Sequence, residues 1–169
     1  MMDLTNPWML PDEVFAWLET NLNPDSTVLE LGSGQGTQRL CAMYRHVYSV
    51  EHDAAYLYTA QADYIYAPLD GIEDARWYNP RSLEDKLPKD YSFLLIDGPP
   101  GPTRANVAAW FHLFRDDVPI LYDDTDREAD RMAAEAIASA LNRPIEHIAA
   151  PSRGEGKMFS VIPLSPHIQ

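Results

Sequence analysis

Three glycines at alternate positions, Gly32, Gly34 and Gly36, stand between a short apolar run and a helical pattern, with Glu30 just upstream. Backbone without side chains can turn sharply and come closer to a bound molecule than any other residue allows. Ser33 and Gln35 fill the gaps between the glycines. Val28 to Leu31 reads as a buried parallel strand, because Val and Leu dominate and Pro24-Asp25-Ser26 punctuates the chain before it. From Gln38 to Tyr44 a helix follows, with Leu40, Cys41 and Met43 on its apolar face. Strand, glycine turn and helix are the layout of a nucleotide-cofactor site. A second acid supports it. Val47 to Val50 alternates as a strand and ends at Glu51, about 20 residues beyond the turn, where a carboxylate can accept two hydrogen bonds from a ribose diol. His52 follows that acid.

A second group of acids lies further on. Tyr91 to Ile96 is the most apolar strand, and it stops at Asp97 before the rigid turn Gly98-Pro99-Pro100-Gly101. Val118 to Tyr122 is the next strand, and it stops at Asp123 and Asp124. Neighbouring strands would bring the three carboxylates together at one sheet edge, where like charges repel unless a proton or cation joins them. An oxygen-rich set of this kind suits Mg²⁺ or Mn²⁺, which would lower the pKa of a coordinated hydroxyl. The alternative is that Asp123 or Asp124 caps the following helix. Arg104 and Arg127 follow the two groups of acids and can pair with them, or can hold an anionic group of a substrate. His112 falls in a helix, away from these acids.

The elements that must position these residues alternate. Val14, Phe15, Leu18 and Leu22 predict a helix from about Pro11, with Trp8 and Met9 ahead of it as candidates for a pocket wall. Asp53 predicts a cap for a helix over 54–62, with Tyr56, Leu57 and Tyr58 partly buried. Tyr64 to Leu69 is a third strand closed by Pro68, and 70–88 reads as a loop carrying Trp77 and Tyr78, which either cover a pocket or anchor the loop. Residues 103–114 and 127–141 read as helices, the second alanine-rich. Ile145 to Ala149 and Met158 to Ile162 are two final strands around a hairpin-like Ser152 to Gly156.

The dinucleotide fingerprint would place its third glycine at Thr37, whereas the spacing here is E-x-G-x-G-x-G. That stretch resembles motif I of the class I S-adenosylmethionine-dependent methyltransferases, and the succession of elements resembles their fold over nearly the whole chain. YIYAPL, LLIDGPPG and ILYDDTDRE are similar to a small subgroup of bacterial and sugar-modifying members. The resemblance implies a doubly wound, mostly parallel seven-stranded sheet in the order 3-2-1-4-5-7-6, helices on both faces, and a reversed last strand in a C-terminal antiparallel hairpin. It also implies S-adenosylmethionine as cofactor. Glu30, Gly32, Ser33, Gly34, Gln35 and Gly36 would hold its methionine part, with Glu30 fixing the turn or meeting the amino group. Glu51 and His52 would lie at the ribose, Pro68 and Leu69 at the adenine, and Asp97 beside the reacting centre. Catechol O-methyltransferase-like enzymes place metal ligands at the ends of these same strands, commonly Asp and then Asp-Asn. Here Asp97, Asp123 and Asp124 would be both the catalytic and the metal-binding residues, with Asp124 standing where that pattern has Asn. The expected activity is methylation of a small-molecule or carbohydrate-like hydroxyl. An aminopropyl transferase on the same scaffold and a non-catalytic cofactor-binding module are the competing readings. The first usually needs an amino-terminal hairpin, for which residues 1–24 leave no room.

Composition bounds the rest. A chain of 169 residues with 46% hydrophobic content is expected to form one domain, 1–169, with 1–24 as a helical lead-in. Thirteen basic residues against twenty-six acidic ones give a formal charge of −13, which disfavours nucleic acid as a partner. The expectation is a small-molecule substrate and no membrane partner, since no apolar run is long enough to span a bilayer. Cys41 is the only cysteine and no export signal is recognisable, so a cytoplasmic location is expected. With little insertion between elements to enclose a substrate, a homodimer could supply a missing wall.

Overall fold

Runs of Val, Leu, Ile and Phe that are apolar on successive residues can only be satisfied with both faces covered, and the structure covers both. The computed structural model describes residues 9–165. Nine strands are present among them: β1 (Thr27–Leu31), β2 (His46–Glu51), β3 (Asp63–Tyr66), β4 (Leu69–Asp70), β5 (Trp77–Tyr78), β6 (Phe93–Ile96), β7 (Ile120–Tyr122), β8 (Glu146–Ala149) and β9 (Met158–Ile162). Seven form one sheet in the order β3-β2-β1-β6-β7-β9-β8, and β4 and β5 pair separately as an antiparallel ribbon. Counted among themselves in chain order, the seven lie 3-2-1-4-5-7-6, the order the resemblance implies. The pairings from β3 across to β7 are parallel, whereas β9 runs antiparallel to both β7 and β8.

Alternation along the strands divides the core in two. Leu29, Leu31, Val50, Leu94, Ile96, Ile120 and Ile162 face one side, where α4 (Val107–Trp110) and α5 (Glu128–Ala140) supply Val107, Ala134 and Ile137. Val28, Val47, Phe93, Leu95, Leu121 and Phe159 face the other, where α1 (Asp12–Asn21) supplies Val14, Phe15 and Leu18 and α2 (Gln35–Met43) supplies Leu40. Each such fully buried side chain contributes about 1.5–3 kcal/mol, so both faces are firmly fixed to the strands whose ends carry the acids.

Several local expectations are corrected. Residues 54–62 contain only a 3₁₀ turn, Ala54–Tyr56, although Asp53 does accept from Ala55 N at 2.9 Å as a cap. Tyr56 and Tyr58 are exposed, so a helix here would have no face to bury, and Ala60 N donates instead to the Tyr64 hydroxyl at 3.1 Å. The segment 101–113 is mostly 3₁₀ (Gly101–Asn106 and Phe111–Leu113) around the single turn of α4. Side chains there are committed elsewhere: Asn106 Nδ2 donates to Asp74 O at 2.6 Å and Arg76 O at 3.0 Å, tying the segment to the loop after β4. α2 begins at Gln35, directly on the glycine turn, and not at Gln38. The expected loop 70–88 contains β5 and a short helix, α3 (Pro80–Glu84), and both Trp77 and Tyr78 are buried as anchors. Trp8 lies outside the described residues, and Met9 is half-buried.

Candidate active site

At the carboxyl edge of the sheet, the turn after β1 sits between β2 and β6, where the winding of the sheet reverses and α/β proteins place their ligands. The three glycines serve different ends. Gly32 has φ +93°, and a Cβ there would lie 2.9 Å from Gly98 Cα and N. Gly98 in turn has no room for a side chain, because a Cβ would meet the Tyr78 hydroxyl at 2.6 Å. A Cβ on Gly36 would press on Leu10 Cδ1 at 3.3 Å, so this glycine lets α2 close on α1 and its lead-in. Gly34 is extended, with φ −171°, a conformation open to any residue.

Glu30 braces this turn from below. It is 1% exposed, and its Oε2 accepts from Thr37 Oγ1 at 2.8 Å and from Ser49 Oγ at 2.6 Å. Thr37 Oγ1 also accepts from Gly34 N at 3.0 Å, so one hydroxyl links the strand acid to the start of α2. Of the two roles expected for Glu30, the geometry provides the fixing of the turn. Burial pushes its carboxyl up to about 7, against the two hydroxyl donors that favour the charged form.

Glu51 braces the turn from the side. Its Oε2 accepts from Ser33 N at 2.9 Å, and its Oε1 accepts from His52 N at 2.8 Å and Asp53 N at 2.7 Å. The His52 ring nitrogen Nδ1 also approaches Oε1 at 2.9 Å without hydrogen-bond alignment. With two lone-pair positions per oxygen, one position on Oε2 is left for a further donor, where the sequence suggested two bonds to a diol. Pro68 and Leu69 are half-buried just beyond β3, and Gln35 is exposed on the rim. His112 is exposed and takes no part.

Asp97, Asp123 and Asp124 do converge, with carboxylate oxygens within 4.8 Å of one another. A guanidinium lies among them. Arg104, 5% exposed, donates from Nη1 to Asp124 Oδ2 at 2.8 Å and to Asp123 O at 3.4 Å, and its Nη2 lies 3.5 Å from Asp97 Oδ1. Its Nε reaches Pro99 O at 3.3 Å. Arg127 Nη2 donates to the same Asp124 oxygen at 2.6 Å and its Nε lies 3.0 Å from Asp130, whose other oxygen accepts from the Tyr122 hydroxyl at 2.8 Å. Burial pushes Asp97 well above the usual carboxylate range and Asp123 up to about 6, although Arg104 opposes both shifts. Neither acid caps α5, whose N-cap is Arg127 with no side-chain bond. The oxygen spacing would admit a divalent ion, but the cluster already carries cations, because the Arg104 and Arg127 guanidinium groups both donate to Asp124 Oδ2.

Tyr78, one of the two loop aromatics expected either to cover a pocket or to anchor the loop, is anchored with its hydroxyl at the site. Its hydroxyl is buried at the seam between Gly32 and Gly98 and has no hydrogen-bond partner among the described residues. Glu51 is the strongest charge acting on it, followed by Arg104 and Asp97, and burial holds the phenol well above its ordinary pKa. The order of residues did not show that the phenol would stand against Gly98, where the β4–β5 ribbon brings it.

No protein-family model and no curated protein matches the chain. Solved structures do match. The structure of Aeropyrum pernix fibrillarin with natively bound S-adenosyl-L-methionine is 14% identical, with a TM-score of 0.59 over 93% of this chain and 75% of that one. The chain has the Rossmann-like methyltransferase fold. Precorrin-8w decarboxylase of Methanobacterium thermoautotrophicum shares the methyltransferase fold at 13% identity and a TM-score of 0.57, over 89% of this chain and 88% of that one. The O-methyltransferase TomG of Streptomyces achromogenes, solved with S-adenosylmethionine, does so at 10% identity and a TM-score of 0.56, over 90% and 77%.

Proposed function

We propose that the chain is an S-adenosylmethionine-dependent methyltransferase acting on the oxygen of a small-molecule or carbohydrate-like hydroxyl. The observation that carries the reading is Gly34. The backbone accounts for Gly32 and packing for Gly36, whereas Gly34 is extended, at φ −171°, a conformation open to any residue. Glycine at the mouth of the turn suits close approach of a ligand.

When bound, the cofactor supplies a methyl group made electrophilic by its sulfonium. The turn from Gly32 to Gly36 would carry the methionine part, Glu51 would accept from one ribose hydroxyl, and Pro68 and Leu69 would flank the adenine. Asp97 is half-buried at the end of β6, with only a 3.5 Å contact to Arg104, and is the acid of the cluster with a face left for an acceptor. Asp97 would orient the acceptor hydroxyl and take its proton as that oxygen received the methyl group. No step is assigned to a divalent ion.

Calorimetry with S-adenosylhomocysteine tests the reading. Wild type should bind it, and Gly34→Val should not, while keeping the wild-type melting temperature. Gly32→Val should lose both. Binding of a nicotinamide dinucleotide with none of the homocysteine compound would reject the reading. Radiolabelled methyl transfer to catechols and sugars then tests the acceptor class.

A further inference from the structure

Acids that share a site need a proton or a cation to join them, and the Arg104 guanidinium lies among these three. We infer that the Asp97–Asp123–Asp124 cluster is a guanidinium site, with Arg104 as its permanent cation, and that removing that guanidinium turns it into a divalent-cation site. The inference is independent of the methyltransferase reading.

Three observations carry it. Arg104 is held from every side: Nε by Pro99 O, Nη1 by Asp123 O and Asp124 Oδ2, and Nη2 beside Asp97 Oδ1. A side chain only 5% exposed and tethered to the ends of β6 and β7 cannot swing out to admit an ion. Nor can it yield its charge, because a guanidinium does not deprotonate in a protein. Asp124 Oδ2 accepts from Arg104 at 2.8 Å and from Arg127 at 2.6 Å, which uses both lone-pair positions of that oxygen. Finally, the planar fork reaches acids at the ends of two strands at once, a task for which arginine is better shaped than a point charge. With the guanidinium gone, the oxygens would stand within 4.8 Å of one another, close enough for one ion with ligands at about 2.0–2.6 Å.

The test is a Mn²⁺ titration of the purified chain, read by the electron paramagnetic resonance of free Mn²⁺ and by melting temperature. Wild type and Arg104→Lys should leave the free-ion signal undiminished and show no Mn²⁺-dependent rise in melting temperature. Arg104→Met, which keeps an apolar stem in place, should take up one ion per chain and melt higher with Mn²⁺. Adding Asp123→Asn to that variant should abolish the uptake. Uptake by wild type that Asp123→Asn removes would overturn the inference, as would a folded Arg104→Met chain that takes up no ion. Should the methionine variant fail to fold, wild type and Asp123→Asn still decide: uptake overturns, and none in either supports.

Discussion

The backbone N–H of Ser33 donates to Glu51 Oε2 at 2.9 Å, so the acid that ends β2 holds the glycine turn that ends β1. One carboxylate thereby fixes the relation between two strand ends. Glu51→Ala would leave three N–H donors, those of Ser33, His52 and Asp53, without their acceptor. The expected cost is about 1–3 kcal/mol of stability, since the donors are only partly buried and water can reach some of them. Urea denaturation measures it, and S-adenosylhomocysteine binding should be lost in the same variant.

Glu30 makes stability depend on pH with a definite sign. Its folded-state carboxyl is raised to about 7 from 4.5, so the folded chain binds the extra proton between those values. Stability from this group is therefore greatest below about pH 4.5 and declines as pH rises through about 7. The decline is about 3 kcal/mol at most. Glu30→Gln should flatten it, because an amide carbonyl can still accept from both Ser49 and Thr37. Chemical denaturation of both proteins at a series of pH values checks the difference, and equal slopes would refute it.

Tyr78 separates a structural hydroxyl from one that serves a ligand. A buried phenol with a good partner loses about 0.5–1.5 kcal/mol when changed to phenylalanine. The Tyr78 hydroxyl has no partner among the described residues, so Tyr78→Phe should leave the melting temperature unchanged or slightly raised. Affinity for S-adenosylhomocysteine should fall about 3- to 10-fold, the worth of one such bond. A lowered melting temperature with unaltered affinity would instead show that the hydroxyl is held inside the apo chain.

The sheet was legible in the sequence because its signals are local. Apolar runs such as Phe93–Ile96 and the acids that end them mark both the strands and the edge where the site lies. The glycine turn and Glu51 were legible for the same reason, each being a residue type at a strand end. What escaped depends on contacts distant in sequence. Arg104 was readable as a partner of Asp97, Asp123 or Asp124, but its position among them follows from the packing of the 3₁₀ segment against α5. The β4–β5 ribbon is two residues long on each side, too short for alternation to show, so Tyr78 read as a loop aromatic that could cover a pocket or anchor the loop. The expected helix after Asp53 failed because a cap and good helix formers do not suffice where no apolar face meets the sheet.

Gly32 and Gly98 meet through bare main chain, each standing where the other's β-carbon would have to go. Two touching side chains can be exchanged for another pair of the same summed volume, and most of a core drifts in this way over many substitutions. This pair has no volume to trade. A change at one glycine has no compensating change at the other, so the junction of β1 and β6 is a fixed point while Leu29, Leu94 and their neighbours remain free to repack around it.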